Sequence, residues 1–465
     1  MGNATVKKGF KLPHIYVLLV CIIFICALAS WALPAGEFDR APNEDGRIVV
    51  VPGTYHKVDS TPVGLFGALR AIYGGMVEAS DVIFFVFLAY ASINILLSTG
   101  AFNGLVAGLL RVFRGKARAA IIPFFLLLLG AAASAIGIFE EALPFIPVFA
   151  GIAMAMGYDA IVGIAIVAIG VGLGFSGAAM NPFTVGIAQN IAELTPMSGA
   201  GYRVICHLAM ATVASAYTIR YALKIQADPT KSLVYGEDFS RFAMDEKRLC
   251  EHPFGAREKL VLATFIALMA FVVYGCKYWG WRFEEICAAF IASAFASAVI
   301  MGWGPTTLAN KMALGLSEIT TACMMIGLAR GILVALNQGH IIDTVVHGMS
   351  QPLIGLPTWI SAELMLLLQT LLNFLIPSGS GQAATIMPIM APLSDLLGVS
   401  RQVAVLAFQF GDGISNILWP TAFAPIVAGL AGVKLGTWWR WFTPLFILIL
   451  ITQMILIGIA IAIGW

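Results

Sequence analysis

Two stretches of this chain, 239 residues apart, set the same polar interruption into apolar sequence: Gly172-Leu173-Gly174-Phe175-Ser176 and Gly411-Asp412-Gly413-Ile414-Ser415, followed by Pro182 and Pro420. A helix unwound at such a point frees backbone N–H and C=O groups that lipid cannot satisfy. The break therefore persists only against protein, water or a bound solute. Freed carbonyls, hydroxyls and amide oxygens are hard ligands suited to Na⁺, whereas N–H groups at half-helix starts suit a carboxylate. Two matching breaks predict one shared solute site in a secondary transporter.

The candidate residues gather at the breaks and at two polar tips. Ser176, Gly177, Asn181 and Thr184 belong to the first break, and Asp412, Ser415, Asn416 and Thr421 to the second. Glu140 and Glu141 mark the tip of an apolar segment over residues 119–156; Asn373, Ser378, Gly379, Ser380 and Gln382 surround the tip of another over 358–397. An ionisable group inside an apolar run costs about 3 kcal/mol on insertion scales, so each such group demands a partner or a role. Arg330 reads either as a neutralising partner for these acids or as a site residue. Glu363, near a span end, reads as interfacial. No organic cofactor is expected; the candidate coupling ions are Na⁺, near the hairpin tips, and H⁺.

The elements that must position these residues are membrane spans. A mean hydropathy of +0.90, with 60% hydrophobic and 11% charged residues over 465 positions, excludes a soluble chain. The expected fold is an all-α polytopic membrane protein with inverted repeats, two re-entrant hairpins and two broken helices. Residues 1–227 form the first half, with its hairpin over 119–156 and broken helix over 158–190. A cytoplasmic linker covers 228–258. Residues 259–465 form the second half, with its hairpin over 358–397 and broken helix over 402–433. A short amphipathic piece opened by a proline precedes each set, over residues 62–72 and 305–316. One extra span near residues 260–274 inverts the second half.

Lys7, Lys8 and Lys11, with Arg111, Arg114, Lys116 and Arg118, place the N-terminus and the entry to the first hairpin on the cytoplasmic side of the cell (inner) membrane. The first apolar run reads as a retained helix. A net charge of +2 excludes a nucleic-acid surface, and the seven scattered cysteines read as packed thiols. The chain has no Gly-x-x-x-x-Gly-Lys loop, no paired metal histidines and no Gly-x-Ser-x-Gly elbow, so no enzyme constellation competes.

Longer motifs carry a family resemblance. Leu12-Pro13-His14-Ile15-Tyr16, Glu140-Glu141-Ala142-Leu143-Pro144-Phe145, Ser176-Gly177-Ala178-Ala179-Met180-Asn181-Pro182-Phe183-Thr184, Pro377-Ser378-Gly379-Ser380-Gly381-Gln382 and Gln409-Phe410-Gly411-Asp412-Gly413-Ile414-Ser415-Asn416 span most of the chain. Together they resemble the YfcC family of membrane carriers, in the DcuC-like group of the ion transporter superfamily. The resemblance implies a homodimer in the lipid bilayer, in which a transport domain moves elevator-fashion against a scaffold. It also implies a small-molecule solute. The leading expectation is antiport of a cationic or zwitterionic amino acid such as arginine or ornithine; the alternative is Na⁺- or H⁺-coupled transport of carboxylates such as four-carbon dicarboxylates.

Overall fold

The computed structural model describes residues 14–42, 48–51, 53–101, 115–242, 255–353 and 356–465. Lys7, Lys8, Lys11, Arg111, Arg114 and Cys250 lie outside the described residues. Seven of the described helices are long and apolar enough to cross a membrane. The molecule is a multi-pass membrane protein.

The first half opens with α1 (Ile15–Ala32), α2 (Leu65–Glu78) and α3 (Ser80–Ser98). Its hairpin consists of α4 (Ile121–Ile136) and α5 (Ile146–Ala155), joined through a 3₁₀ turn over Glu140–Phe145. The broken helix follows as α6 (Ala160–Ser176), which carries a π turn over Ala165–Ile169, and α7 (Val185–Ile191). α8 (Ala200–Ala227) closes the half. After α9 (Ala256–Tyr278), the same order returns. It runs through α10 (Phe283–Met301), α11 (Pro305–Gln338), α12 (Ile342–Ser350), hairpin α13 (Thr358–Leu375) and α14 (Gly379–Leu396), broken helix α15 (Arg401–Gly413) and α16 (Ala424–Leu430), and α17 (Leu435–Ala462).

Two features depart from the sequence expectation. Residues 305–316 are not a separate amphipathic piece but the start of the 34-residue α11. Its counterpart, over residues 65–98, is cut at Ala79 into α2 and α3. The all-helical body also carries four short strands between α1 and α2, paired as Gly36–Glu37 with His56–Lys57 and Arg40–Pro42 with Ile48–Val50. Arg40 ties this strand layer to α12 through Asp343, at 2.9 Å, and Glu37 pairs with His340.

The helices pack in two groups. α1, α2 and α3 pack on α11, α10 packs on α3 and α9 on α10, and together they form a frame; the hairpins, the broken helices, α8 and α17 form a core. Every residue of α6 is buried, as is nearly all of α15, so these apolar helices are surrounded by protein rather than lipid. The base of the first hairpin lies at the C-terminal end of α8, where Tyr221 and Ser232 donate to Asp159 at 2.6 and 2.7 Å. The base of the second lies at the other end of α8, where Arg401 meets Asp395, Glu193 and the Ala192 carbonyl. α8 has 28 residues, about 42 Å of helix, so these two sets of contacts lie at opposite ends of it.

Within the frame, α2 and α11 approach backbone to backbone at Gly75. A β-carbon there would overlap the Gly327 carbonyl and the Gly331 amide. Gly75→Ala should therefore cost about 1–3 kcal/mol of stability by overpacking. Gly458→Ala is the control, because open space surrounds Gly458. The thermal midpoint of detergent-purified protein should fall for the first variant and hold for the second.

Candidate functional site

The first break is held by side chains from two other helices. Gly137, at φ 78°, ends α4 and turns the chain into the tip. One turn earlier, Ser134 Oγ donates to the Gly177 carbonyl at 3.2 Å and accepts from the Ala179 amide at 2.9 Å. From α8, His207 Nδ1 meets the Leu173 carbonyl at 3.1 Å and Arg203 donates to the Ala179 carbonyl at 3.4 Å. Asn181 Oδ1 accepts from the Phe183 amide.

The second break is held by amides and indoles. Asn373 donates to the Asp412 carbonyl at 3.0 Å and to Ser415 Oγ at 2.6 Å, and Asn416 donates to the same carbonyl at 2.7 Å. Trp438 and Trp439 reach from α17 to the Ile417 and Leu418 carbonyls at 2.9 and 2.7 Å, and Thr421 donates to the Phe374 carbonyl.

The breaks meet each other. Ser176 Oγ accepts from the Ile414 amide at 2.8 Å, and Gln409 Nε2 donates to the Phe175 carbonyl at 2.9 Å. Phe139, at the first tip, packs against Phe175 of one broken helix and Phe423 of the other, with ring centroids 5.0 and 4.8 Å apart.

A cavity of about 330 Å³ lies between core and frame, bounded by both tips and both breaks. Glu140, Glu141, Thr184, Ser378, Gly379, Ser380, Asn416, Thr421 and Arg330 line it. Ser176, Gly177, Asn181, Asn373, Gln382, Asp412 and Ser415 do not; they are buried behind its wall, where Asn373, Ser176 and Ser415 hydrogen-bond the breaks. Glu363 is also outside the lining. The tip acids differ: Glu141 folds back to accept from the Phe139 amide at 3.0 Å, whereas Glu140 and Arg330 make no side-chain hydrogen bond or close ion pair among the described residues.

Behind the second tip lies a different chemistry. Asp412 is 1% exposed, and a β-carbon on Gly379 would fall 2.9 Å from its Oδ2. That oxygen lacks a hydrogen-bond partner among the described residues, as do Asn373 Oδ1, Gln382 Oε1 and Gln409 Oε1. The second hairpin and the second broken helix thus carry four buried oxygen acceptors free to take a cation or a proton.

A family model for the C4-dicarboxylate anaerobic carrier DcuC matches residues 12–462. The chain belongs to the DcuC family. It is a membrane transporter rather than an enzyme. This DcuC-family chain is 30% identical to the Escherichia coli K12 protein named "Putative basic amino acid antiporter YfcC", over 97% of each chain. It is 28% identical to an uncharacterized Haemophilus influenzae protein over 99% of each. Among solved structures it is similar to the Alcanivorax borkumensis YdaH transporter, with 17% identity, a TM-score of 0.45 and coverage of 97% of this chain and 99% of that one.

The sequence reading missed the frame wall of the DcuC-family cavity. Glu78 and Asp81 enter it because α2 and α3 separate at Ala79, and Arg282 enters it from the start of α10. Ser134, Arg203 and His207 were equally silent, since their contacts with the first break go to backbone carbonyls and amides 34–45 residues away or, for Arg203, 24. The close approach of the two breaks generates a prediction. A β-carbon on Gly413 would overlap the Ser176 backbone. Gly413→Ala should push the breaks apart and lower transport at least about tenfold, equivalent to 1.4 kcal/mol, with circular dichroism and membrane yield unchanged.

Proposed function

We propose that this protein is a secondary antiporter for an amino acid carrying an extra positive charge, such as arginine or ornithine. The observation that carries this reading is that Glu140 and Arg330, which make no side-chain hydrogen bond or close ion pair among the described residues, face one cavity from its core and frame walls. A carboxylate and a guanidinium held apart in this way complement the ammonium and carboxylate of a zwitterion. Glu78 and Asp81 supply further negative charge for a cationic side chain. In a poorly solvated site such pairings are much stronger than in water. The DcuC-family relative named as a basic amino acid antiporter supports the same class.

The coupling ion, Na⁺ or H⁺, is assigned to the orphaned acceptors around Asp412, Asn373, Gln382 and Gln409. Hairpin bases at opposite ends of α8 support an inverted pair of repeats, and the cavity's place between core and frame supports an elevator motion of one against the other. A second copy of the chain covers the exposed first half of α11. There Ser317, Glu318, Thr320 and Thr321 present polar groups within a membrane-length helix, and Glu318 accepts only from Tyr90 and Asn94 of α3 among the described residues. Lipid would make an exposed carboxylate costly.

One observation favours a second reading. Two guanidinium groups, Arg282 and Arg330, line the cavity, and two guanidiniums suit a dicarboxylate. The readings separate in proteoliposomes. Glu140→Gln should raise the KM for arginine at least about tenfold, a loss of 1.4 kcal/mol, and Arg330→Gln should weaken arginine and neutral amino acids alike. Wild-type protein that exchanges succinate and not arginine would decide for the dicarboxylate.

A further inference from the structure

The loop between α9 and α10 brings Trp281, Arg282 and Phe283 of the frame to the cavity. The Arg282 backbone is fixed, because its amide donates to Glu285 Oε2 at 2.9 Å in a capping box. Its guanidinium sits over the Phe183 ring, 5.9 Å from the centroid. Phe183 belongs to the core: its amide is held by Asn181 Oδ1 at 2.9 Å, and its ring lies against Gly137 of the first tip. The contact therefore joins frame to core across the space that a solute must enter. Among the described residues Arg282 has no ion pair, and its exposed side chain leans on the face of one phenyl ring. Glu78 and Asp81 line the cavity with it.

We infer that Phe183 is a specificity-determining residue that reads cations, and that Arg282 is its resident occupant, closing the cavity until a solute displaces it. A guanidinium or ammonium solute is drawn by Glu78 and Asp81 and takes the ring face from Arg282. An anion or a neutral solute cannot take the ring face, since the ring quadrupole attracts only positive charge, and Glu78 and Asp81 oppose an anion's approach to Arg282. The identity of the displacing solute rests on the function proposed above; the Arg282–Phe183 closure does not.

The test is a single cysteine at Ile138, which lines the cavity, in a background with the native cysteines replaced. A membrane-impermeant methanethiosulfonate reagent reports access in proteoliposomes. Loss of an exposed cation–π contact corresponds to roughly a two- to fivefold change in the open population. Arg282→Ala and Phe183→Leu should each speed labelling by that factor, and Arg282→Lys should restore the slow rate. Arginine, or guanidinium ion alone, should speed labelling of the parent protein and leave Arg282→Ala unchanged; succinate should do neither. Unchanged labelling in both Arg282→Ala and Phe183→Leu overturns the closure, and equal acceleration by succinate and arginine overturns the reading of charge. Fast labelling in the variants together with transport of succinate and not arginine overturns the proposed function and leaves the closure standing.

Discussion

The structure depends on satisfying backbone groups where helices stop inside an apolar body. Each unsatisfied N–H or C=O in such surroundings costs several kcal/mol, and two breaks and two tips expose many of them. The chain meets that demand from neighbouring helices as well as from Asn181, Ser415 and Asn416 within the breaks. Ser134, Arg203 and His207 hold the first break; Asn373, Trp438 and Trp439 hold the second. The two breaks then share the Ser176–Ile414 hydrogen bond. A core built in this way is committed to one arrangement of its tips, because moving either break strands several polar groups at once.

The frame obeys a different constraint. α11 runs unbroken for 34 residues, and the equivalent length in the first half is cut at Ala79. Continuity in one half gives the core a long wall to face. Interruption in the other lets Glu78 and Asp81 reach the cavity, at positions that an unbroken helix would turn along its own surface. The offset of 239 that relates the halves places Glu78 opposite Ser317, beside Glu318, yet Glu78 lines the cavity whereas Glu318 bonds Tyr90 and Asn94. The halves repeat in order and length without repeating in chemistry.

That difference explains what the sequence could show. Glycine pairs followed by proline, and polar tips inside apolar runs, are local signals, so both breaks and both hairpins were legible to within a few residues of their observed limits. The cavity wall from Glu140 and Glu141 to Ser378 and Ser380 was legible for the same reason. Glu78, Asp81 and Arg282 were not, because each sits at an ordinary helix end and acquires its place only from packing. Asp412 was read as a cavity residue and lies behind Gly379 instead: a carboxylate in a broken helix announces a buried charge but not which side of a tip it faces. The thiols were read as packed, and Cys26, Cys206 and Cys323 are, whereas Cys21 is exposed on α1.

Gly379 thus separates two environments by the thickness of one backbone. In front of it lie Glu140, Arg330 and the cavity; behind it lie Asp412 and the orphaned oxygens. A charge arriving behind the tip changes the field in front of it across a short, poorly screened path. The first residues of α14, whose N–H groups point out of the helix start, stand between the two. A side chain at position 379 would collide with Thr184 as well as Asp412, tying the tip's geometry to both breaks. Coupling between an ion and a solute requires no long pathway in such an arrangement, because occupancy on either side acts on the same three or four peptide units.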